Sequence, residues 1–315
     1  MYIKSIKLLL IVIFISFSNI LFAQDDLLSL VDNGPKPKEY ISNAFKSSRV
    51  VNGHSMEFIG KGVLDVRILH RFGLINTGFS NLWGLDQASM RFGFDYGVTK
   101  NFTLGIGRST SAKEWDGFLK YRLVQQSVGG KNPSPVSVVL ITGATISTAP
   151  WEFPDRKNYF SSRMGFYNQV ILGRKFNENF SAQIAPTHIH VNLVKGANFT
   201  NDFFAMGIGA RYKISKRTAF VVDYHYLVRP TTDDDSDDDN IFKNTSSKAY
   251  QFKDLVNPLS IGFDIETGGH VFQLHFSNSS GMNEKAFITN TTKSWGKAEV
   301  SFGFNLSRVF TVAKN

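Results

Sequence analysis

Short segments in which bulky apolar side chains alternate with small or charged ones recur along this chain from residue 62 to residue 309. In one segment, Phe92 and Phe94 alternate with Arg91 and Asp95. Successive side chains of a β-strand point to opposite faces, so each segment predicts a strand with one apolar and one polar face. The composition agrees, because the 29 Phe and 10 Tyr residues favour strands over helices.

Counting these segments predicts twelve strands, an even number that brings both chain ends to one side of a sheet. The predicted strands are 62–72, 86–97, 101–109, 116–126, 135–147, 163–174, 178–190, 202–213, 217–228, 258–266, 270–278 and 297–309. Strands of this length with one apolar and one polar face are typical of membrane barrels. A soluble sandwich or a closed soluble barrel shows the same alternation, with its apolar face turned inward.

The lengths of the connections favour the membrane barrel. Short turns at 98–101, 175–179, 213–217 and 267–269 alternate with longer loops at 73–85, 109–115, 148–162, 192–202, 229–257 and 279–295. In a hairpin meander all the short turns share one end, as in outer-membrane proteins with short periplasmic turns and long external loops. Residues 127–134 form a longer turn on the short side. The sequence therefore predicts an all-β fold, a single antiparallel up-and-down transmembrane β-barrel.

The N-terminus has the pattern of a secretory signal peptide. Lys4 and Lys7 precede an apolar run over 8–17, and Ala23 supplies a small residue for cleavage. The run is too short and too interrupted for an anchor helix. We expect a signal peptide at 1–23, a flexible segment at 24–47, a barrel domain at 48–315, and export to the outer membrane.

Composition narrows the classes of function. The chain has no Cys, which excludes disulfides, thiolate zinc sites and a cysteine nucleophile. Its formal net charge of +9 comes without a Lys/Arg cluster, so nucleic acid is not an expected partner. The expected partners are outer-membrane lipid and, during biogenesis, the barrel assembly machinery, because the aromatic-rich last strand ends near Phe310. Cofactors are not predicted, and the oligomeric state is left open.

Two features at the ends of the predicted strands complete this pattern. Residues 49–58 alternate before the first strand, and they form either an extra strand or a segment that enters the lumen. Four tryptophans fall in or beside the long loops, where aromatic rings favour the membrane interface. They are Trp83, Trp115, Trp151 and Trp295.

Several motifs in the chain resemble a known family. They are Gly53-His54-Ser55-Met56-Glu57 and the segments 65–73, 84–87, 118–123, 269–274 and 303–308. Over about residues 45–310 the chain resembles a family of predicted β-barrels from Bacteroidetes, domain of unknown function 5777. The resemblance implies an outer-membrane-type barrel and carries over no activity and no catalytic residue.

The alternation also predicts which side chains meet lipid. We expect the lipid-facing set to include Phe92, Phe94, Phe220, Val222, Phe302 and Phe304. We expect Arg91, Asp95, Asp223 and Glu299 to point into the lumen. A one-residue slip would put every one of these charges into hydrocarbon.

Charged residues concentrate on the polar faces of the early strands, which predicts a luminal polar network in a narrow barrel. Its predicted members are Glu57, Asp65, Arg67, Arg71, Arg91, Asp95, Arg108, Lys120 and Arg122. Such a network is either a selectivity constriction or a set of ion pairs that keeps the lumen shut.

The candidates for catalysis and metal binding are weak. His54 and Ser55 suggest a phospholipase-like pair, but neighbours in an extended segment point to opposite faces. His225 with Asp223 is similarly ambiguous. Possible metal ligands are His188 and His190, which share a face, and Asp233, Asp235 and Asp237 of the Asp-rich run. Surface histidines and an exposed acidic loop are the favoured explanations of these residues.

The sequence therefore predicts a porin-like or channel-like barrel for small solutes or ions. A barrel-wall enzyme acting on lipid and a scaffold barrel that binds a partner are the alternatives.

Overall fold

The computed structural model describes residues 37–194, 199–229 and 252–313. The predicted signal peptide and the Asp-rich run at 233–239 lie outside the described residues. The chain divides into two compact units. In the smaller, which includes residues 37–39 and 129–132, the Lys38 ammonium donates to the carbonyl oxygen of Asn132 at 3.0 Å. The larger unit contains a β-barrel.

Twelve antiparallel strands form the closed barrel. They are β1 (Val63–Leu74), β2 (Ala88–Thr99), β3 (Phe102–Ser109), β4 (Glu114–Val124), β5 (Ser137–Ser147), β6 (Met164–Lys175), β7 (Phe180–Val191), β8 (Asp202–Lys213), β9 (Thr218–Val228), β10 (Leu259–Thr267), β11 (His270–Ser277) and β12 (Ser301–Thr311). Each strand pairs with the next barrel strand along the chain, and β12 closes the barrel on β1, with Leu306 opposite Ile68. The prediction of an antiparallel up-and-down barrel with twelve strands is confirmed.

The remaining elements are short. An α-helix, α1, spans Glu284–Thr289 and begins at Asn283, whose side chain accepts from the Ala286 amide at 2.8 Å. In the described part of the chain, 3-10 helices span Ile75–Thr77, Phe79–Gly84, Ser111–Lys113, Phe160–Arg163 and Trp295–Lys297, and two-residue strands lie at Glu39–Tyr40 and Ser127–Val128. Within the described ranges, no helix is long and apolar enough to cross a membrane.

Connection lengths differ between the two ends of the barrel. One end has turns at 100–101, 176–179, 214–217 and 268–269, together with the longer 125–136. The other has loops at 75–87, 110–113, 148–163, 192–201, 229–258 and 278–300. Because the meander is antiparallel with an even number of strands, the start of β1 and the end of β12 lie at the short-turn end.

The two faces of the wall differ as the alternation predicts. Phe92 and Phe94 are 45% and 47% exposed on the outer surface, whereas Arg91 and Asp95 are 0% and 1% exposed. The buried side chains of the wall are mostly polar or charged, and the exposed ones are mostly apolar. The barrel is therefore apolar outside and polar inside.

Phe94→Arg tests the orientation of the wall. Placing an arginine on the apolar outer face of a membrane barrel costs about 2–4 kcal/mol near the bilayer midplane. We expect the variant to assemble poorly, measured as the fraction of protein that migrates as a heat-modifiable barrel. Asp95→Asn changes a buried luminal group on the adjacent position and should assemble normally. Equal assembly of both variants would contradict the orientation.

Candidate functional site

Residues 41–60 form a segment, here called the plug, much of which lies inside the barrel. Its residues 48–55 fold back as a hairpin, with the Ser55 amide donating to the Ser48 carbonyl at 3.0 Å and the Val50 amide to the Gly53 carbonyl at 2.9 Å. Residues 50–53, here called the plug tip, are buried. Of the two possibilities left open for residues 49–58, the structure therefore shows the lumen segment.

The plug tip is held by one carboxylate. Oδ2 of Asp223, on β9, accepts backbone N–H groups of Val51 at 3.3 Å, Asn52 at 2.7 Å and Gly53 at 2.9 Å. Its other oxygen, Oδ1, lies 2.9 Å from His225 Nε2. A buried carboxylate must be compensated by charge or hydrogen bonds, and here the plug supplies most of them.

Amide side chains of the wall bind the plug backbone around the tip. Gln183 donates to the His54 carbonyl at 2.7 Å and accepts the Met56 amide at 2.9 Å. Gln273 donates to the Val50 carbonyl at 2.7 Å, and Asn305 to the Val51 carbonyl at 2.9 Å. These bonds satisfy backbone groups that would otherwise be unpaired inside the barrel.

Cations bind the plug before and after the tip. The Arg67 guanidinium donates to the Ser47 hydroxyl at 2.7 Å and the Ser48 hydroxyl at 2.6 Å, and also to Asp65 at 3.2 Å. The Lys120 ammonium donates to the carbonyl oxygens of Ser48, at 3.2 Å, and Glu57, at 2.6 Å. Both charged and uncharged side chains of the wall therefore bind the plug.

Helix α1, in the loop that follows β11, contacts the plug from the long-loop end. Glu284 accepts from Arg49 of the plug at 3.0 Å and lies 3.5 Å from His54. Its neighbour Lys285 pairs with Glu114 of β4 at 2.7 Å. Both charges of the Arg49–Glu284 pair are buried. Removal of either side chain would therefore leave the other as a buried, uncompensated charge.

His54 of the plug is held as a neutral imidazole. Burial lowers its pKa well below the usual range, and the guanidinium of Arg49 adds to this effect. Arg49 Nη2 lies 3.3 Å from His54 Nε2, where a neutral ring accepts a hydrogen bond. The Tyr167 hydroxyl lies 3.5 Å from the same nitrogen.

Two cavities border this arrangement. One, of about 710 Å³, opens among the long loops and reaches Phe203, Lys285 and Thr289. The other, of about 360 Å³, lies between the plug and the wall near Glu57, Asp65 and His270. The plug and α1 therefore fill the lumen between two open spaces.

Comparison with known protein families identifies the family to which this chain belongs. The model of the membrane-bound β-barrel domain, DUF5777, matches residues 45–310, which include most of the plug and nearly all of the barrel. The chain belongs to this family. No curated protein matches the chain.

Solved structures similar to this DUF5777 chain include outer-membrane channels, at low sequence identity. The NanC porin is 9% identical with a TM-score of 0.44, covering 78% of this chain and 98% of its own. The COG4313 outer membrane channel from Pseudomonas putida F1 is 12% identical with a TM-score of 0.46, covering 81% and 98%. The outer membrane channel DcaP of Acinetobacter baumannii is 11% identical with a TM-score of 0.31, covering 71% and 63%.

The DUF5777 barrel brings most of the predicted network residues to its inside. Buried on the luminal side are Asp65, Arg67, Arg71, Arg91, Asp95 and Lys120. Arg91 of β2 pairs with Asp116 of β4 on the luminal face through two hydrogen bonds of 2.8 and 2.5 Å. Arg122 stacks over Phe58 of the plug, 4.2 Å from the ring centroid. Burial raises the pKa of the Glu57 carboxyl, although it accepts the Ala44 amide.

Two predicted orientations are wrong. Arg108 does not face the lumen, because Thr103, Gly105, Gly107 and Ser109 occupy the buried phase of β3. Its guanidinium lies outside instead, 5.6 Å from the ring centroid of Trp115. Glu299 precedes β12, whose first residue is Ser301, and it accepts the Ser294 amide at 2.8 Å within the loop.

The other candidates that the structure describes are His54 with Ser55, and His188 with His190. The Ser55 hydroxyl donates to the Ser47 carbonyl at 2.6 Å and not to His54. His188 and His190 lie on the outer face, 2.8 and 2.9 Å from the same oxygen of Asp202. No group of three metal-binding side chains occurs in the described ranges. Asp233, Asp235 and Asp237 lie outside them.

Sequence reasoning missed the wall amides that bind the plug backbone. Gln183, Gln273 and Asn305 are uncharged, so a search for ion pairs passes over them. A signal was present, since the amides at 183, 273 and 305 occupy the same alternating phase as the luminal charges.

Asp223→Asn tests the attachment of the plug tip. Hydrogen bonds to a charged group are worth about 1.5–3 kcal/mol each, so the neutral amide should weaken three bonds together. We expect the amides of Val51, Asn52 and Gly53 to exchange with deuterium at least about tenfold faster. Asp202→Asn is the matched control on the outer face. Unchanged protection in Asp223→Asn would contradict the attachment.

Proposed function

We propose that the protein is an outer-membrane channel for small solutes or ions, closed by its own N-terminal plug. The observation that carries this proposal is that polar side chains of the luminal wall bind the plug through hydrogen bonds. Most of its hydrogen-bond partners in the described ranges are luminal polar groups, which water can solvate once the plug leaves. A polar wall of this kind suits passage of polar solutes, whereas a barrel that only needs to be filled is served by apolar side chains.

The cavities on either side of the plug support the same proposal. We interpret them as the two entrances of a closed channel, and the plug and α1 as the barrier between the entrances. Displacing the plug exposes the luminal charges, which then select the solute. The alternative of a lipid-acting enzyme finds no support at His54 and Ser55, because the Ser55 hydroxyl is bonded to a backbone carbonyl.

The proposal includes a route to the membrane. Residues 1–23 serve as the signal peptide, and the barrel assembly machinery inserts the chain through its aromatic last strand. The short turns then face the periplasm and the long loops the outside. Lipid contacts the apolar outer face, with tryptophans such as Trp83 and Trp115 near the external interface.

A disulfide between the plug and the wall tests whether the plug must move for ions to pass. A Cβ placed on Gly173 would lie 3.2 Å from Cγ of Met56, the position that the sulfur of a cysteine at 56 would occupy. The chain has no other cysteine. We expect Met56→Cys/Gly173→Cys to lose its current in planar bilayers on oxidation and to regain it on reduction.

The wild-type protein under the same oxidant is the control, since it has no thiol to react. Mass spectrometry reports whether the disulfide has formed. Full current through the oxidised, cross-linked barrel would show that ions do not need plug movement. Absence of current in the reduced protein and in the wild type would favour a scaffold barrel instead.

Epitope labelling tests the orientation. A tag inserted within Asp233–Asp239 should be labelled on intact cells, because the loop at 229–258 is proposed to be external. A tag in the turn at 214–217 should be labelled only after the outer membrane is permeabilised. The reverse pattern would overturn the orientation.

A further inference from the structure

The plug tip presents the chemical groups of a short peptide to the lumen. Its backbone N–H groups point at Asp223, and its carbonyl groups accept hydrogen bonds from Gln273 and Asn305. The side-chain amide of Asn52 completes the contact, donating to the Ser260 hydroxyl at 3.0 Å. The wall around the tip is therefore shaped for amine-type donors and carbonyl-type acceptors.

Asp223 offers an acceptor for three donors at once. Oδ2 alone accepts the three tip amides, and the nearest further partner, His225, binds the other oxygen. A primary ammonium group carries three N–H donors and a full positive charge. It can replace the three amides at Oδ2 and pair with the carboxylate as well.

Arg71 is a buried cation with neutral partners. Its guanidinium donates to the Asn305 side-chain oxygen at 2.9 Å, to the His70 carbonyl at 2.9 Å and to Asn52 Oδ1 at 2.8 Å. None of the ion pairs found among the described residues includes Arg71, which is 0% exposed. A carboxylate is the partner that such a guanidinium prefers, through parallel hydrogen bonds.

A single residue spans the two charges. The Asn52 backbone N–H contacts Asp223 at 2.7 Å, and its side-chain oxygen contacts Arg71 at 2.8 Å. The donor and the acceptor in Asn52 are separated by three carbon atoms. The ammonium nitrogen and a carboxylate oxygen are separated by two carbon atoms in an α-amino acid and by three in a β-amino acid, and the five-atom chain between the ends of a dipeptide reaches the same distance when it is bent.

We propose that the lumen holds a binding site for a small zwitterion, an amino acid or short peptide, which the plug tip occupies in the closed state. The ammonium group of the solute binds Asp223, its carboxylate binds Arg71, and the solute displaces the tip. This assignment rests on the proposed function as a channel. An anion alone would leave Asp223 Oδ2 without the donors that the tip supplied, and a cation alone would leave Arg71 with neutral partners only.

Solute flux from proteoliposomes containing the full chain tests the site. The probes are alanyl-alanine and the same dipeptide capped by N-acetyl and C-methylamide groups, which is similar in shape but has no charged ends. We expect alanyl-alanine to leave at least about tenfold faster, as the loss of a charge-assisted hydrogen bond predicts. Arg71→Gln and Asp223→Asn should each bring this ratio close to one.

Matched substitutions on the outer face control for general effects. Arg174→Gln and Asp202→Asn change the same residue types away from the lumen and should keep the wild-type ratio. Asn52→Ala leaves the wall intact and removes the tip's contacts with Arg71 and Ser260. It should increase the flux of alanyl-alanine, because the tip competes less well for the site.

The outcomes separate this inference from the proposed function. Equal flux of both probes through the wild-type barrel, or a ratio that survives Arg71→Gln and Asp223→Asn in folded protein, would overturn the zwitterion site and leave the channel standing. Absence of flux for both probes, even in Asn52→Ala, would overturn the channel and the site with it. Heat-modifiable migration verifies that each variant is folded.

Discussion

The bond between the Asp223 carboxylate and the three amides of the plug tip is the interaction on which the closed lumen depends. A carboxylate inside a barrel must be compensated, and among the described wall residues only His225 lies within hydrogen-bond distance of Asp223. The hairpin at 48–55 turns so that successive N–H groups converge on one oxygen. The positions of Asn52 against Arg71 and of Arg49 against Glu284 are consistent with this one anchored turn.

The outer face follows from a different constraint, the absence of water in a bilayer. Every backbone group in hydrocarbon needs a partner, and a closed sheet provides all of them. The same closure fixes the phase of every strand, so that charges such as Arg91 are inside and phenylalanines such as Phe94 outside. The polar interior that results has to be filled by water or by polar protein, and here the plug fills it.

The strands could be predicted from sequence because they are set by local alternation and turn residues. All twelve are present, whereas the position of the plug rests on contacts between residues far apart in sequence, such as Asn52 with Ser260. The charge of Arg108 predicts a luminal side chain, but Thr103 and Ser109 occupy the luminal phase of β3, so Arg108 lies on the outer face. Helix α1 was not predicted at all, since six residues in a long loop carry too little periodicity to be recognised.

We propose that passage of solute through the barrel and release of the plug are one event. A cysteine introduced at Val51, which is 0% exposed, reports this directly when ionic current is recorded with a membrane-impermeant thiol reagent present. The account predicts that the thiol reacts only during current bursts and that modification then holds the pore open, because the enlarged side chain cannot return. Sustained current through barrels whose cysteine stays unmodified would contradict it.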